Sequence, residues 1–182
     1  ERQHNVTLTK DFEIGATEVT QLHWVCATGT NPSYFKQESH CPNSYMEIDG
    51  VGLCSDFPVE RVSWNDIQNF IAEYNRRAND GYRYSLPTEA QWEFAARAGT
   101  QTSYSFVGSL EEYAWFWGNS SERTHSVATK SANPWGLYDV HGNVSEWVQD
   151  LYWDGEYPIG SVTEPTGASS GSSRVLRGGS WG

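Results

Sequence analysis

The sequence predicts an α+β domain in which two main helices are embedded among short antiparallel strands and much coil. Two segments combine the apolar period of an amphipathic helix with start and stop signals, and the rest of the chain divides into short β-rich runs between turns. The chain has 182 residues, which favours a single domain over 1–182. Its 9 Trp, 10 Tyr and 7 Phe indicate that large rings supply much of the core.

Residues 5 to 29 are predicted to hold a β start and a short helix. In "NVTLTKDFEIGATEVT" apolar residues alternate with polar ones, and Gly15 marks a turn or bulge, which favours a hairpin-like arrangement. The following "QLHWVCATG" is typical of a short helix that ends at Gly29.

The first main helix is predicted within "SWNDIQNFIAEYNRRAND". Ser63 can cap it with Asp66 at the third position, and Asn79, Asp80 and Gly81 end it. Apolar residues recur at i, i+3, i+4 and i+7, which is typical of one buried helix face. These residues are Ile67, Phe70, Ile71 and Tyr74.

The second main helix is predicted within "PTEAQWEFAARAG". Thr88 and Gln91 form a capping box, and Gly99 supplies a left-handed residue at the end. Between the helices "YRYSLP" is predicted as a short strand.

After residue 100 the pattern predicts short strands and long turns. The predicted strands are "TSYSFVG", "YAWFWGN", "HSVATK", "GLYDV", "NVSEWV" and "RVLRGGSW". The Gly- and Ser-rich stretch "EPTGASSGSSR" is predicted as a flexible loop within the domain.

Charge and hydropathy exclude several classes of function. A net charge of -11 repels phosphate backbones, which argues against nucleic acid as a partner. No run of 18 apolar residues is present, so no membrane span is expected, and residues 1–10 lack the apolar region of a signal peptide. The ends suggest a chain truncated on both sides.

Two of the three cysteines bracket a loop that a disulfide can close. Cys41 and Cys54 flank "PNSYMEIDGVGL", and a bridge of this span stabilises a fold by about 3 kcal/mol. A bridge predicts a location outside the reducing cytoplasm, whereas the alternative is a pair of free thiols. Cys26, in "HWVCAT", is predicted to be a small buried residue.

The segment "GLYDVHGNVSEWVQD" is rich in hard oxygen donors. Asp139 and Glu146 offer carboxylates, Gly142 allows an unusual backbone angle, and the carbonyls of Gly142 and Val144 can face the same point. Such a set suits calcium, which takes six to eight oxygens. The alternative is a β-turn in which Glu146 pairs with an arginine such as Arg177 or Arg97.

Six phrases in this order resemble one family across nearly the whole chain. They are "TEVTQLHW", "NPSYF", "FPVERVSWNDIQNFIAEYN", "YRYSLPTEAQWEFAARAG", "NPWGLYDVHGNVSEWVQD" and "RVLRGGSW". The chain thereby resembles the formylglycine-generating-enzyme, or sulfatase-modifying-factor, family. The resemblance implies a distorted C-type-lectin-like core and a calcium site at Asp139, Gly142, Val144 and Glu146. Ser145 stands where the family usually has a large residue, which opens space near the expected groove.

The same resemblance leaves two classes of function open. Catalytic members oxidise a cysteine of a sulfatase with copper, which two cysteines shortly after the Gly-Gly-Ser motif bind. Here the chain ends at "RGGSWG", so the oxidase remains the alternative, with Ser180 as its candidate catalytic residue. The five histidines stand singly, which disfavours the iron-dependent members.

The favoured expectation is a non-catalytic module that binds a protein or peptide, or serves in a larger assembly. Its ligand surface is expected around Trp115, Trp117 and Trp181, although any one of them can instead belong to the core. Calcium is the expected structural cofactor, and copper enters only under the oxidase alternative. The expected location is extracytoplasmic, in a periplasmic, cell-surface or secreted protein of bacterial type.

Overall fold

Side-chain caps fix the starts of the three longer helices, α1 (Gln21–Thr28), α2 (Trp64–Arg77) and α3 (Glu89–Arg97). A computed structural model of the chain describes residues 4–155 and 160–182. Each helix opens with a capping box, in which the cap side chain accepts an N–H from the third helical residue. The caps are Thr20, Ser63 and Thr88. Both predicted main helices and the short helix before Gly29 are confirmed.

The ends of these helices follow local backbone chemistry. Gly29 takes a left-handed φ of 71° after α1, as predicted. After α3 the left-handed position begins one residue earlier than predicted, at Ala98 (φ 47°), and Gly99 continues it at 82°. A fourth helix, α4 (Leu110–Tyr113), is a single turn that the sequence pattern did not indicate.

In the part of the chain that the structure describes, six short strands form three separate pairs. β1 (Asn5–Thr7) lies parallel to β5 (Ser161–Thr163), so the predicted hairpin at the start of the chain is wrong. β2 (Tyr45–Ile48) and β3 (Val51–Cys54) form an antiparallel hairpin inside the disulfide loop. β4 (Glu146–Leu151) pairs antiparallel with β6 (Arg174–Arg177), which confirms the strands predicted in "NVSEWV" and "RVLRGGSW".

The other predicted strands are turns and irregular backbone. At "YRYSLP" the reason is visible, because the Asn75 side chain both accepts from the Tyr84 N–H and donates to the Tyr84 carbonyl. A side-chain amide thus takes the place of a neighbouring strand. Between residues 102 and 140 the same aromatic runs are held by ring stacking, such as Phe106 on Tyr113 with centroids 4.0 Å apart.

Among the described residues, the buried apolar side chains form three small clusters. α3 packs on β4 and β6 through Trp92, Ala96 and Val148. α1 packs on α2, where the rings of Trp24 and Phe70 stack with centroids 4.9 Å apart. The third cluster surrounds the disulfide.

Two indole groups join the start of α2 to β4. The Trp64 N–H donates to the Val148 carbonyl (3.0 Å), and the Trp147 N–H donates to the Val62 carbonyl (3.1 Å). Because each indole reaches across to the backbone of the other segment, residues 62–64 and 147–148 are held together from both sides.

The cysteines bear out one prediction and contradict another. Cys41 and Cys54 form a disulfide with Cα atoms 5.7 Å apart, as predicted. Cys26 is a free and exposed cysteine, so its predicted burial is wrong. It lies on the face of α1 that points away from the packed residues Trp24, Val25 and Ala27. Among the described residues, none of the helices is long and apolar enough to cross a membrane.

Candidate functional site

The backbone of the segment from Asp139 to Glu146 bends sharply before β4. Asp139 (φ 61°) and Asn143 (φ 64°) take the left-handed conformation, which Asp and Asn tolerate better than most residues. Gly142 does not, so the prediction that it supplies the unusual angle is wrong. Its role is close approach, because a Cβ there would lie 2.3 Å from the Trp115 carbonyl oxygen.

Asn143 organises this bend. Its side chain is fully buried, accepts from the His125 N–H (2.9 Å) and donates to both the His125 carbonyl and a carboxylate oxygen of Glu18. Its backbone N–H donates to Trp115, and its carbonyl accepts from Trp181. The residue therefore connects four distant parts of the chain.

Three carboxyl groups, those of Glu18, Asp139 and Glu146, surround this bend, although the sequence pattern indicated only two. Glu18, from the segment before α1, accepts from the Val144 N–H and the Asn143 amide. Burial raises its pKa well above the usual range, and the charges of Asp139 and Glu146 raise it further. Nothing in "ATEVTQ" distinguishes this glutamate from a surface residue, so local sequence reasoning missed it.

The other two carboxyl groups are also deprived of water. Burial raises the pKa of Asp139, although the Ala128 N–H that donates to its Oδ2 acts in the opposite direction. Burial raises the pKa of Glu146 to about 7, against the effect of the Trp92 indole that donates to it. In the described part of the chain no basic group is among the causes of these shifts, so the ionised forms of the three carboxyl groups lack a positive counter-charge.

This arrangement has features that a cation would complete. The Oδ1 atom of Asp139 is buried without a hydrogen-bond partner. Within residues 4–155 and 160–182, the carbonyls of Gly142 and Val144 accept no loop hydrogen bond, whereas that of Asn143 does. Carbonyl ligands would be needed, because no three His, Cys, Asp or Glu side chains in these ranges form a metal-binding group by themselves.

The arginines proposed as alternative partners of Glu146 pair with α3. Arg177 contacts Glu93 (2.9 Å) and Glu89 (3.7 Å), and Arg97 contacts Glu93 (2.7 Å). Glu146 instead accepts from Trp92, which lies on the same helix.

A pocket of about 210 Å³ opens beside the bend. Three stretches of the chain line it. They are residues 59–62, the three residues Val144, Ser145 and Trp147, and the pair Ser180 and Trp181. The Trp147–Val62 hydrogen bond joins two of these walls, and the Trp181–Asn143 backbone bond joins the third to the bend. Ser145, small at this position, leaves the space open.

Ser180 lies at this pocket. Its hydroxyl donates to the Gly182 carbonyl (2.8 Å). Copper(I) prefers a pair of thiolates, and of the three cysteines in the sequence only Cys26 is free. Among residues 4–155 and 160–182, no pair of free thiols therefore lies beside Ser180.

The three candidate tryptophans occupy different environments. Trp181 lines the pocket and meets Phe35 edge to face at 5.6 Å. Trp115 stacks on His125 at 3.7 Å, with the Lys130 ammonium 3.8 Å from its ring centre. Trp117 is 81% exposed, and neither it nor Trp115 lines the pocket.

Comparison with known proteins identifies one family and several of its members as similar to this chain. The family model described as "Sulfatase-modifying factor enzyme 1-like domain" matches residues 1–182. The chaperone protein LppX of Paenibacillus barcinonensis is 30% identical over 97% of the chain and 71% of its own length. The mouse (Mus musculus) formylglycine-generating enzyme is 33% identical over 70% of the chain.

The fold comparison agrees. Treponema denticola variable protein 1 superposes with a TM-score of 0.75 and 31% identity, covering 90% of the chain and 71% of that protein. The chain spans only 36% of the mouse enzyme. With the family model matched from end to end and the distorted C-type-lectin-like core in place, the chain belongs to the sulfatase-modifying-factor, or formylglycine-generating-enzyme-like, domain family.

Proposed function

We propose that this domain is an extracytoplasmic, calcium-stabilised binding module that holds a segment of a protein or peptide in the pocket beside Ser145. One observation carries the proposal. One wall of the pocket lies on the same stretch of backbone as the carboxylates Asp139 and Glu146, and Glu18 holds that stretch through the Val144 N–H. Cation binding and the shape of the pocket therefore depend on the same backbone.

The composition of the pocket supports binding. Valines and two indoles offer apolar surface, whereas Ser145 and Ser180 offer hydroxyls, a mixture that is typical of ligand sites. Sites for small molecules have volumes of about 300–1,000 Å³. This pocket is smaller, so it suits one projecting side chain. Two similar proteins carry the names chaperone and variable protein, and neither name denotes an enzyme.

The case for calcium rests on the buried carboxylates. Asp139 and Glu146 would supply side-chain oxygens, and Gly142 and Val144 would supply carbonyls, with Glu18 holding the loop through the Val144 N–H. A bound cation would provide the positive charge that the cluster lacks. The disulfide between Cys41 and Cys54 supports a location in an oxidising compartment.

Retention of peptides on the immobilised chain tests the binding function. A random heptapeptide pool is passed over the protein in calcium buffer, and retained peptides are quantified by mass spectrometry. Retention is expected for the native chain and should fall by at least about tenfold in Ser145→Trp, because the indole fills the pocket.

The matched control is Ser170→Trp, which places the same ring on an exposed loop. It should leave retention unchanged. Equal retention by the Ser145→Trp variant, or no retention by the native chain, would contradict peptide binding in this pocket.

A further inference from the structure

One basic side chain at the pocket has no acidic partner. Arg61 lines the pocket and is exposed, and within the described residues it forms no ion pair. Its guanidinium lies over the Tyr34 ring, 5.0 Å from the centroid, and an aromatic face leaves the hydrogen-bonding edge of the group available.

The neighbouring acidic side chain is already engaged. Glu60 Oε1 accepts from the backbone N–H groups of Tyr34 and Phe35, the latter at 2.9 Å. The same contact fixes the loop that carries Tyr34, on which Arg61 rests. Of the two charges at this wall, the positive one is therefore free to meet a ligand.

The backbone places Arg61 in an unusual conformation. Its φ of 61° is left-handed, which disfavours a residue with a Cβ. Such a conformation persists when the surroundings hold it, and it is common at ligand-contacting positions. Here Val59 N–H donates to Val19, and Val62 accepts from the Trp147 indole, so both sides of Arg61 are anchored.

From these contacts we infer that the pocket recognises a peptide carboxylate next to an apolar side chain, with Arg61 as the carboxylate-binding residue. This inference rests on the proposed peptide-binding function. Arginine binds carboxylates through two parallel N–H groups, whereas Val62, Trp147 and Trp181 give the adjoining side chain an apolar surface.

The net charge of the whole chain restricts further the class of peptide that can bind. With a net charge of -11, the protein repels densely acidic segments at long range. A single carboxylate that reaches Arg61 gains a short-range bidentate contact instead. The ligand class is therefore a mostly apolar peptide with one acidic group, either a side chain or a free C-terminus.

Four matched heptapeptide pools test this inference by label-free retention on the immobilised chain. The pools carry Glu or Gln at the central position, and each is prepared with a free or an amidated C-terminus. The pools with a carboxylate should be retained at least about tenfold more than the amidated Gln pool. Stronger retention of the amidated Glu pool would identify a side-chain carboxylate. Stronger retention of the Gln pool with a free C-terminus would identify a terminal carboxylate.

Arg61→Gln should remove this preference while keeping retention of the neutral pool, and Arg61→Lys should keep part of it. Arg83→Gln, at another exposed arginine, is the control and should behave as the native chain. Retention without preference for a carboxylate, or a preference that survives Arg61→Gln, overturns the inference but leaves peptide binding intact. No retention of any pool overturns both.

Discussion

The Asn143 amide donates to the Glu18 carboxylate at 2.9 Å, between two buried residues that are 125 positions apart. This contact joins the segment before α1 to the bend before β4. Glu18 also receives the Val144 N–H, so one glutamate holds two successive residues of the bend. The shape of the candidate site therefore depends on a residue from the far end of the chain.

Asn143→Ala is expected to lower the free energy of unfolding by about 3 kcal/mol, because it leaves the buried Glu18 oxygen and the His125 N–H without a partner. Urea denaturation followed by tryptophan fluorescence measures the change. Asn79→Ala removes the same amide from an exposed turn after α2 and should change stability by less than about 0.5 kcal/mol. Similar losses for the two variants would contradict the role assigned to Asn143.

Calcium is expected to stabilise the native chain. At a concentration 100 times the dissociation constant, a ligand adds about 2.7 kcal/mol, which corresponds to a rise in Tm of roughly 5–10 °C for a chain of this size. The titration belongs at pH 8, because burial raises the pKa of Glu146 to about 7 and calcium requires the ionised carboxylate. Differential scanning calorimetry before and after EDTA measures the shift.

Two variants locate the cation. Asp139→Asn and Glu146→Gln should each abolish the calcium-dependent rise in Tm, whereas Glu111→Gln, at an exposed side chain on α4, should keep it. A native chain whose Tm is the same in calcium and in EDTA would show that these carboxylates do not bind calcium.

Gly142→Ala is expected to destabilise the domain by about 2–3 kcal/mol, because the new methyl group overlaps the Trp115 carbonyl. Gly29→Ala offers an informative comparison, since its Cβ would meet nothing within 4 Å and only the left-handed φ of 71° opposes it. That variant should lose about 1 kcal/mol. Chemical denaturation of both proteins distinguishes steric overlap from backbone strain, and a smaller loss at Gly142 than at Gly29 would argue against the close approach.

Replacing Cys41 and Cys54 together by alanine should lower stability by about 3 kcal/mol, since the bridge closes the loop that contains the β2–β3 hairpin. In reducing buffer the native chain should lose a similar amount of stability. Cys26→Ala, at the exposed thiol, serves as the control and should unfold like the native chain. An unaltered midpoint after reduction would contradict a stabilising role for the bridge.

The sequence predicted the helices well because their signals are local. Ser63 with Asp66, and Thr88 with Gln91, lie within one turn of each other, and their side chains satisfy N–H groups of the same turn. The strands depend on partners elsewhere. β1 finds its parallel partner about 156 residues along the chain, and no property of "NVTLTK" specifies that pairing.

One missed element did have a local signal. Asp49 and Gly50, with φ of 49° and 78°, form the two-residue turn of the β2–β3 hairpin, and Asp-Gly between apolar residues is typical of such turns. The residues of the candidate site divide in the same way, into those with a local sequence signal and those without one. Asp139 and Glu146 stand in one recognisable segment, whereas Glu18 reaches the bend, and Arg61 the pocket, only when distant segments of the chain meet.

The bond from the Trp147 indole to the Val62 carbonyl has a consequence for the kinetics of binding. Because this bond ties two walls of the pocket to each other, we expect these walls to rearrange little when the proposed peptide binds. Association should then be a single step whose observed rate rises linearly with peptide concentration. Residence time would be set by the contacts that the peptide itself makes, so small changes in its sequence should act mainly on dissociation.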